Sequence, residues 1–520
     1  MACLALASCG STPAVPVGVV GHVDGFGGLV AADEPRAALI GRDVLSSGGS
    51  PSDAVTAMAF AMTATLPSQV GLGASGACLV YDRGKEKTEA LDFIAPVGGA
   101  ASQAVRPSAV PALPRGLYAL HSRYGRLRWE QLLAPAESMS RLGFPASRAL
   151  ARQLDPVAEP LIQDPGMRGL FVKPDGRLIG EGDMLMRPSL GAALSRLRSR
   201  GVGDFYNGAW AHEIAASVTA AGGSLTVEDL RNYSPRWLAP IAVDYGNEIA
   251  YFTPPPAAAG LLEAEYWTLL AGQGLYARAD DAQKPHLMAE IFARGYAARS
   301  DWMNPDGTTH RDPAAVLAKA RLDSVMAGYT PATHHPAAGT PPDDVVAGTS
   351  LLAMDSDGNT TVCAISLNHP FGIGKLAPAT GIIPAAAPGV RGLGAQSLGP
   401  MLAINKNSNE FRFAAAATGG PTAPESLIGV ALSTLIENKP LGQALAAARL
   451  FAPGNPDAVF VEPGFSGAGA LSARGHQVRE TDLPSLVNAA RCTSGTPSPV
   501  RCTAATDPRG AGLAIIVGEH

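Results

Sequence analysis

Residues 348–367 read Gly348-Thr-Ser-Leu-Leu-Ala-Met-Asp-Ser-Asp-Gly-Asn-Thr-Thr-Val-Cys-Ala-Ile-Ser-Leu367 and form the clearest structural pattern of the chain. Two apolar runs, 349–355 and 360–367, flank a polar turn at 355–359. Apolar runs of this length joined by Asp, Gly and Asn predict a buried β-hairpin. Another strand is predicted at 411–417, and it leads through Thr418-Gly419-Gly420 into a helix.

The first half of the chain alternates helix and strand patterns. Helices are predicted at 34–47 and 54–66, the second capped by Ser52 or Asp53, and a strand is predicted at 77–81. Strands paired in hairpins, with helices grouped between them, favour a layered α/β sandwich over a doubly wound sheet.

Composition excludes several classes of protein. The 520 residues carry a net charge of −5, only 16% of them are charged, and no Lys/Arg block occurs. The sequence therefore has no cluster of basic residues of the kind that binds nucleic acid. The chain has no run of 18 apolar residues, so it predicts no membrane span.

Two motifs resemble cofactor or metal sites. Residues 71–76 match GxGxxG, but a helix pattern precedes them and a strand pattern follows, the reverse of a dinucleotide fingerprint. We expect a turn with close backbone contact there instead. His334-His335 lies in a linker-like segment, 330–344, with no HExxH motif and no converging carboxylates, which predicts an exposed loop. No cofactor and no metal are predicted.

The N-terminus and the cysteines indicate where in the cell the protein is located. Leu6-Ala-Ser-Cys9 resembles the lipobox of bacterial lipoproteins, which predicts a signal and tether at 1–17 with a lipid on Cys9; a chance match is the alternative. The location would be the periplasmic face of the cell envelope, lipid-anchored or secreted. Cys492 and Cys502 would then form a local disulfide, whereas Cys78 and Cys363 are predicted to be inert core residues.

Gly348-Thr349 suits self-cleavage. A Thr hydroxyl can attack the preceding carbonyl, and the flexible Gly allows the geometry. The product is an N-terminal Thr349 whose amine is the base for its own hydroxyl. Amides at Thr418-Gly419-Gly420 could stabilise the oxyanion. The plain alternatives are a Thr that begins a strand and an ordinary strand-to-helix turn.

Taken together, the motifs resemble the γ-glutamyltranspeptidase family of N-terminal-nucleophile hydrolases. The similarity runs in order from about residue 30 to residue 512, and is carried by Ala31-Ala-Asp-Glu-Pro-Arg36, Gly48-Gly-Ser-Pro-Ser-Asp-Ala54, Ala90-Leu-Asp-Phe93, Pro254-Pro-Pro256, Leu367-Asn-His-Pro-Phe-Gly372, Ser397-Leu-Gly-Pro400 and Thr418-Gly-Gly420.

The resemblance implies a precursor that cuts itself into a large segment, 18–348, and a small segment, 349–520. Both would fold as one four-layer αββα sandwich. The implied reaction transfers a γ-glutamyl group from a small-molecule amide to water or an amino acid. By the same resemblance Thr349 is the nucleophile, the Gly419 and Gly420 amides hold the oxyanion, and Asn368 and Ser397 bind the substrate.

Three departures from the family pattern leave alternatives open. Strict register places Gly348 on the usual nucleophile and Thr349 on its neighbour. Ile94 follows Phe93 where the family has an Arg, and 384–389 replace the residues that bind the donor ammonium. Loss of these charged partners weakens recognition of a zwitterionic donor. The enzyme hypothesis therefore stands beside a catalytically silent, cell-envelope binding lipoprotein, and beside an acylase for β-lactam side chains.

Overall fold

The computed structural model describes residues 25–304, 308–337, 339, 347–389 and 398–518. The predicted leader 1–17, its lipidation residue Cys9 and the substrate-binding candidate Ser397 lie outside the described residues. Among the residues that are described, no helix is both long and apolar enough to span a membrane.

The strands alternate with helices in the first half of the chain and come in pairs in the second. In chain order they are β1 (Gly28–Ala32), β2 (Ser75–Asp82), β3 (Lys87–Phe93), β4 (Phe144–Pro145), β5 (Met184–Leu185), β6 (Arg236–Leu238), β7 (Ile241–Tyr245), β8 (Glu248–Phe252), β9 (Thr349–Asp355), β10 (Thr360–Ser366), β11 (Met401–Asn405), β12 (Phe411–Thr418), β13 (Leu450–Phe451), β14 (Val459–Val461), β15 (Val478–Glu480), β16 (Leu486–Cys492), β17 (Cys502–Ala505) and β18 (Leu513–Val517).

The α-helices are α1 (Pro35–Ser46), α2 (Pro51–Thr65), α3 (Leu113–Tyr124), α4 (Trp129–Leu142), α5 (Arg148–Leu154), α6 (Ala158–Leu161), α7 (Pro165–Phe171), α8 (Pro188–Asn207), α9 (Ala209–Ala220), α10 (Val227–Asn232), α11 (Ala258–Trp267), α12 (Leu275–Arg278), α13 (Lys284–Ala298), α14 (Pro313–Val316), α15 (Lys319–Val325), α16 (Ala423–Ala431), α17 (Leu441–Ala446) and α18 (Ala468–Ser472). Gly201 interrupts α8 with a kink.

Two large antiparallel sheets form the centre of the molecule. The first has seven strands in the order β18-β1-β9-β10-β2-β3-β6, and the second has six in the order β17-β16-β12-β11-β8-β7. The predicted hairpin is β9 and β10, which pair antiparallel at the centre of the first sheet. Strand alternation sends Leu352 and Met354 between the sheets, and Leu351 and Ala353 toward the helices.

Three apolar clusters separate four layers. One lies between the two sheets and joins Leu352 of the first to Leu402 and Ala414 of the second. The other two fill the outer faces, under α1, α2 and α4 on the first sheet and under α11 and α16 on the second. The order of layers is therefore helix, sheet, sheet, helix, which confirms the predicted αββα sandwich.

Helix α2 shows how an Ala-rich composition serves this architecture. All of its 15 residues are buried, which suits a helix that is apolar on every side. The prediction that Ser52 or Asp53 caps it is wrong, because Ser50 is the N-cap and forms a reciprocal capping box with Asp53.

Two disulfides are present in the described residues. Cys492 is bonded to Cys502, as predicted, across β16 and β17. Cys78 is bonded to Cys363, so the prediction that both are inert core residues is wrong. These two cysteines lie directly opposite each other on β2 and β10, although they are 285 residues apart in sequence.

Two other sequence expectations have opposite outcomes. Residues 71–76 do make a close backbone contact, since a Cβ on Gly73 would lie 2.6 Å from the carbonyl oxygen of Ile383. The loop around His334-His335 is exposed at 331–333 and 335–336, as predicted, but the expectation that no carboxylates converge on His334 is wrong. Its ring is 11% exposed, with Nδ1 2.7 Å from Glu290 and Nε2 2.9 Å from Asp457.

Candidate active site

Gly348 lies immediately before β9 and faces the second sheet. Its φ is +132°, a backbone conformation that L side chains rarely adopt. A Cβ built on Gly348 would lie 3.7 Å from Cγ2 of Thr418 and 3.9 Å from Cβ of Ser366. The position that a side chain of residue 348 would occupy is therefore next to the end of β12.

Thr349 is the first residue of β9, and its side chain is buried. Its hydroxyl donates a 2.9 Å hydrogen bond to Oδ2 of Asp33, the residue that follows β1. Because β1 and β9 are neighbours in the first sheet, their ends bring these two side chains together. The hydroxyl that sequence reasoning singled out thus has a carboxylate within hydrogen-bond reach.

Asp33 is held by two further groups. The backbone amide of Ser350 donates to Oδ2 over 2.9 Å, and Nδ2 of Asn488 donates to Oδ1 over 2.8 Å. Burial raises the pKa of Asp33 above its ordinary value of 3.8, although the hydrogen bonds from Ser350, Thr349 and Asn488 oppose that rise. Asp33 is therefore a fixed carboxylate with a raised proton affinity.

Gly348, the residue before Thr349, is held as well. The amide of Gly348 donates a hydrogen bond to Oε1 of Gln69, and Nε2 of Gln69 donates to Gln153 over 3.2 Å. Gln69 therefore holds the amide of Gly348, and Asp33 holds the side chain of Thr349.

Strand β12 ends at Thr418, and the chain turns through Gly419 and Gly420 toward α16. Their φ angles are +126° and +62°, and a Cβ on Gly419 would lie 2.4 Å from Cα of Ser485. Glycine is therefore required at 419 by both conformation and space. Neither the Gly419 amide nor the Gly420 amide donates a hydrogen bond to a backbone carbonyl of another described residue. Two such amides suit stabilisation of a developing oxyanion.

Asn368 follows β10 with a φ of +64° and is 4% exposed. Its Nδ2 donates to the carbonyl oxygen of Ala386 over 2.9 Å, while its Oδ1 is buried without a hydrogen-bond partner among the described residues. A buried, unpaired acceptor is costly unless a ligand satisfies it. This geometry suits the predicted role of Asn368 in binding an N–H group of a substrate.

The departures from the family pattern occupy defined positions. Ile94 packs against the cluster between the sheets. Asp92 is bound to Arg236 with a closest distance of 2.6 Å. Residues 384 and 386 make bridges to Gly73 and Ser108. Apolar residues therefore stand where the resemblance leads us to expect charged groups for a zwitterionic donor.

Sequence reasoning missed Asp33, Gln69 and Asn488 as site residues. Asp33 lay within a quoted motif, but only the pairing of β1 with β9 places it beside Thr349. Asn488 lies on β16 of the other sheet and reaches Asp33 across the space between the sheets. Neither local periodicity nor spacing could have indicated these contacts.

Comparison with known proteins agrees with this architecture. The γ-glutamyltranspeptidase family model matches residues 37–386 and 384–517. Glutathione hydrolase 3 of Arabidopsis thaliana is 29% identical over 384 residues, which cover 69% of this chain but only 59% of the plant protein. Glutathione hydrolase 7 of Rattus norvegicus is 28% identical over 525 residues, 94% of this chain and 79% of the rat protein.

Solved structures show the same fold. Cephalosporin acylase from Bacillus halodurans superposes with a TM-score of 0.80 at 23% identity, covering 99% of both chains. The γ-glutamyltranspeptidase of Helicobacter pylori superposes with a TM-score of 0.52 at 24% identity, covering 59% of this chain and 93% of that one. With the family model matched over most of its length, the chain belongs to the γ-glutamyltranspeptidase family of enzymes.

Proposed function

We propose that the protein cleaves or transfers an acyl amide with Thr349 as nucleophile, after cutting itself between Gly348 and Thr349. The observation that carries this proposal is the 2.9 Å hydrogen bond from the Thr349 hydroxyl to Asp33. A hydroxyl is a weak nucleophile until an adjacent base accepts its proton. Asp33 is such a base, and burial makes it a stronger proton acceptor.

The self-cleavage begins as Thr349 Oγ1 attacks the carbonyl carbon of Gly348 while Asp33 accepts the hydroxyl proton. The C–N bond between the two residues breaks, and the proton passes to the departing nitrogen of Thr349. The resulting ester is hydrolysed by water, which leaves a carboxylate on Gly348 and a free α-amine on Thr349. The cut separates the large segment, 18–348, with any tether attached to it, from the small segment, 349–520, and the two remain one structural unit.

In the mature enzyme the α-amine of Thr349 takes the hydroxyl proton. The hydroxyl attacks the carbonyl of the donor amide, and the Gly419 and Gly420 amides stabilise the oxyanion. The donor's amine leaves with a proton, and water or an acceptor amine then removes the acyl group from Thr349.

The donor is a γ-glutamyl amide, such as glutathione, or a less polar acyl amide. Kinship with glutathione hydrolases supports the former. The free Oδ1 of Asn368 suits an N–H of either, and Ser397 is proposed as a second binding residue. Ile94 and Pro384 provide no charge for an α-carboxylate or an ammonium group. Burying an unpaired zwitterion is costly, and this favours the less polar donor.

A catalytically silent, substrate-binding homologue is the second candidate. The observation that favours it is the position of Gly348, whose missing side chain would face Thr418 beside the two glycine amides. In strict register with the family pattern, position 348 is the position of the nucleophile.

In either case we propose a location on the periplasmic face of the bacterial cell envelope, with a lipid on Cys9, or secretion. Disulfides form and persist in such oxidising compartments, and Cys78–Cys363 and Cys492–Cys502 support export.

Reducing gels and intact-mass measurement of the purified chain distinguish the two candidates. Two fragments, the second beginning at Thr349, are expected for the wild type and a single chain for Thr349→Ala. Thr503→Ala, an exposed threonine on β17, is the matched control and should still cleave. Hydrolysis of a γ-glutamyl anilide and of a neutral acyl anilide then identifies the donor. An uncut wild-type chain that hydrolyses neither anilide would refute the enzyme proposal.

A further inference from the structure

A second cluster of reactive side chains lies on elements that contribute nothing to the site around Thr349. His286 and Glu290 are four residues apart on α13, so both lie on the same face of that helix. His476 comes from the chain just before β15, and it meets them from a position 190 residues away from His286. All three side chains are buried.

Their ligand atoms converge on one point. His286 Nδ1 and His476 Nε2 are 2.7 Å apart, and His476 Nε2 is 3.9 Å from Glu290 Oε1. The three atoms all lie within 4.8 Å of one another. Ligands of a tetrahedral zinc ion, with Zn–N bonds of about 2.0–2.1 Å, lie about 3.3 Å apart. The 2.7 Å pair is at hydrogen-bond distance, so a bound ion would replace the proton that the two rings share and would widen that separation.

The outer contacts orient the ligand atoms toward that point. His286 Nε2 is 2.9 Å from the carbonyl oxygen of Thr330, which can only accept a hydrogen bond. In the neutral ring, Nδ1 therefore carries a lone pair that faces His476. Ligating histidines in proteins commonly have their other nitrogen fixed in this way.

Glu290 is held in the same manner. Arg294 donates to its Oε2 over 3.0 Å, and His334 Nδ1 lies 2.7 Å from its Oε1. The other nitrogen of His334 faces Asp457 over 2.9 Å. These contacts fix the position of the Glu290 carboxylate.

We propose that His286, Glu290 and His476 bind a divalent transition metal ion, with zinc as the best match. Two imidazoles and one carboxylate suit zinc, whereas calcium and magnesium prefer all-oxygen sites. Three protein ligands leave a fourth position for water.

The proposed ion would join distant parts of the second half of the fold. It would fix the outer helix α13 to the turn before β15, and so hold residues on both sides of position 348 together. Because the site shares no residue with the candidate active site, this proposal does not depend on the proposed function.

Metal titration of the purified full-length chain tests the proposal. The chain is stripped with a chelator, dialysed and titrated with Zn²⁺ by calorimetry. We expect one ion per chain and a melting temperature that rises with Zn²⁺. Since loss of outer contacts alone weakens metal sites about 10–100-fold, His476→Gln or Glu290→Gln should weaken binding at least about 100-fold. His212→Gln, an exposed histidine on α9, should bind as the wild type does.

Co²⁺ substitution identifies the ligands. A tetrahedral Co²⁺ spectrum without a thiolate charge-transfer band would support the nitrogen and oxygen ligands and exclude Cys3 and Cys9. No binding, or binding unchanged in His476→Gln, would overturn the proposal, as would a thiolate band. If the variants fold poorly, anomalous diffraction from Zn²⁺-soaked wild-type crystals decides. A peak between the three side chains supports the site, and a peak elsewhere or none refutes it.

Discussion

The hydroxyl of Thr349 donates a 2.9 Å hydrogen bond to the buried carboxylate of Asp33. The two residues are 316 positions apart in the chain and meet because β1 and β9 are adjacent strands. Asp33 thereby faces the hydroxyl beside the peptide bond that we propose is cut, while Asn488 from the second sheet fixes its orientation.

Replacing Asp33 by Asn should slow self-cleavage. Asn keeps the size of the side chain but cannot accept a proton, and a positioned base contributes about 10²–10⁴-fold to a rate. The time course of fragment appearance on reducing gels measures the effect. Asp244→Asn, an exposed carboxyl on β7, is the control. Wild-type cleavage in Asp33→Asn would show that this carboxylate is not the base.

The same reaction should depend on pH. The ionised form of Asp33 is the acceptor, and its pKa is raised above 3.8 by burial. The cleavage rate should therefore fall on acidification, with a midpoint above pH 3.8. A rate that stays constant down to pH 3.8 would contradict this assignment.

Gly348→Thr tests the register of the nucleophile. A Cβ has room there, since the nearest atom is the carbonyl oxygen of Ile365 at 3.5 Å, but a φ of +132° strains any L side chain. Such strain costs about 1–3 kcal/mol. If Gly348 occupies the family's nucleophile position, the variant should cut after Ala347 and gain activity. If Thr349 is the nucleophile, cleavage should remain directly before Thr349, which the mass of the fragments reveals.

Gly419→Ala should damage both fold and site. The new Cβ would lie 2.4 Å from Cα of Ser485, and φ is +126°. We expect a loss of at least about 2 kcal/mol of folding free energy, because backbone strain adds to overpacking. Urea denaturation measures it. Gly442→Ala, with open space around a helical glycine, should be neutral or slightly stabilising.

Asp53 should be among the most stabilising polar residues. Its carboxylate accepts hydrogen bonds from the amides of Ser50, Arg126 and Leu127, and pairs with His121 over 3.0 Å. Asp53→Ala leaves buried amides unpaired and should cost about 2–4 kcal/mol. Asp312→Ala, at the exposed cap of α14, should cost less than about 1 kcal/mol. Equal losses in both variants would contradict this ranking.

Asp53 also predicts how stability changes in acid. Burial raises its pKa, but the hydrogen bonds from His121 and the amides outweigh burial, so the folded pKa lies below 3.8. Its stabilisation is therefore complete above pH 3.8 and is lost as the pH falls through the lower folded value. Below pH 3.8 the stability difference between the wild type and Asp53→Ala should therefore shrink.

The parts of this structure that could be predicted from sequence are those encoded locally. The hairpin at β9 and β10, helix α1 and the turn after Thr418 each follow from periodicity and turn residues within about 20 positions. The shift of the α2 cap to Ser50 is a small error of the same local kind. The layered sandwich followed from the order of these elements.

What could not be predicted depends on contacts between distant elements. The Cys78–Cys363 bond follows from the register of β2 against β10. The ring of His334 is only 11% exposed because Glu290 and Asp457, 44 and 123 positions away, converge on it. Asp33 reaches Thr349 only once β1 pairs with β9, and Asn488 reaches Asp33 only once the second sheet is stacked on the first. These features are set by tertiary packing, which no local pattern encodes.

The Cys78–Cys363 bond has a consequence for the processed protein. One of its cysteines precedes the bond between Gly348 and Thr349 and the other follows it. Hydrolysis at that point would yield two polypeptides that stay linked as a single molecule, which dilution could not dissociate and non-reducing electrophoresis would display as one band. Each nucleophile would thus remain with the partner polypeptide it was made with, and no exchange of subunits between enzyme molecules could occur until the disulfide is reduced.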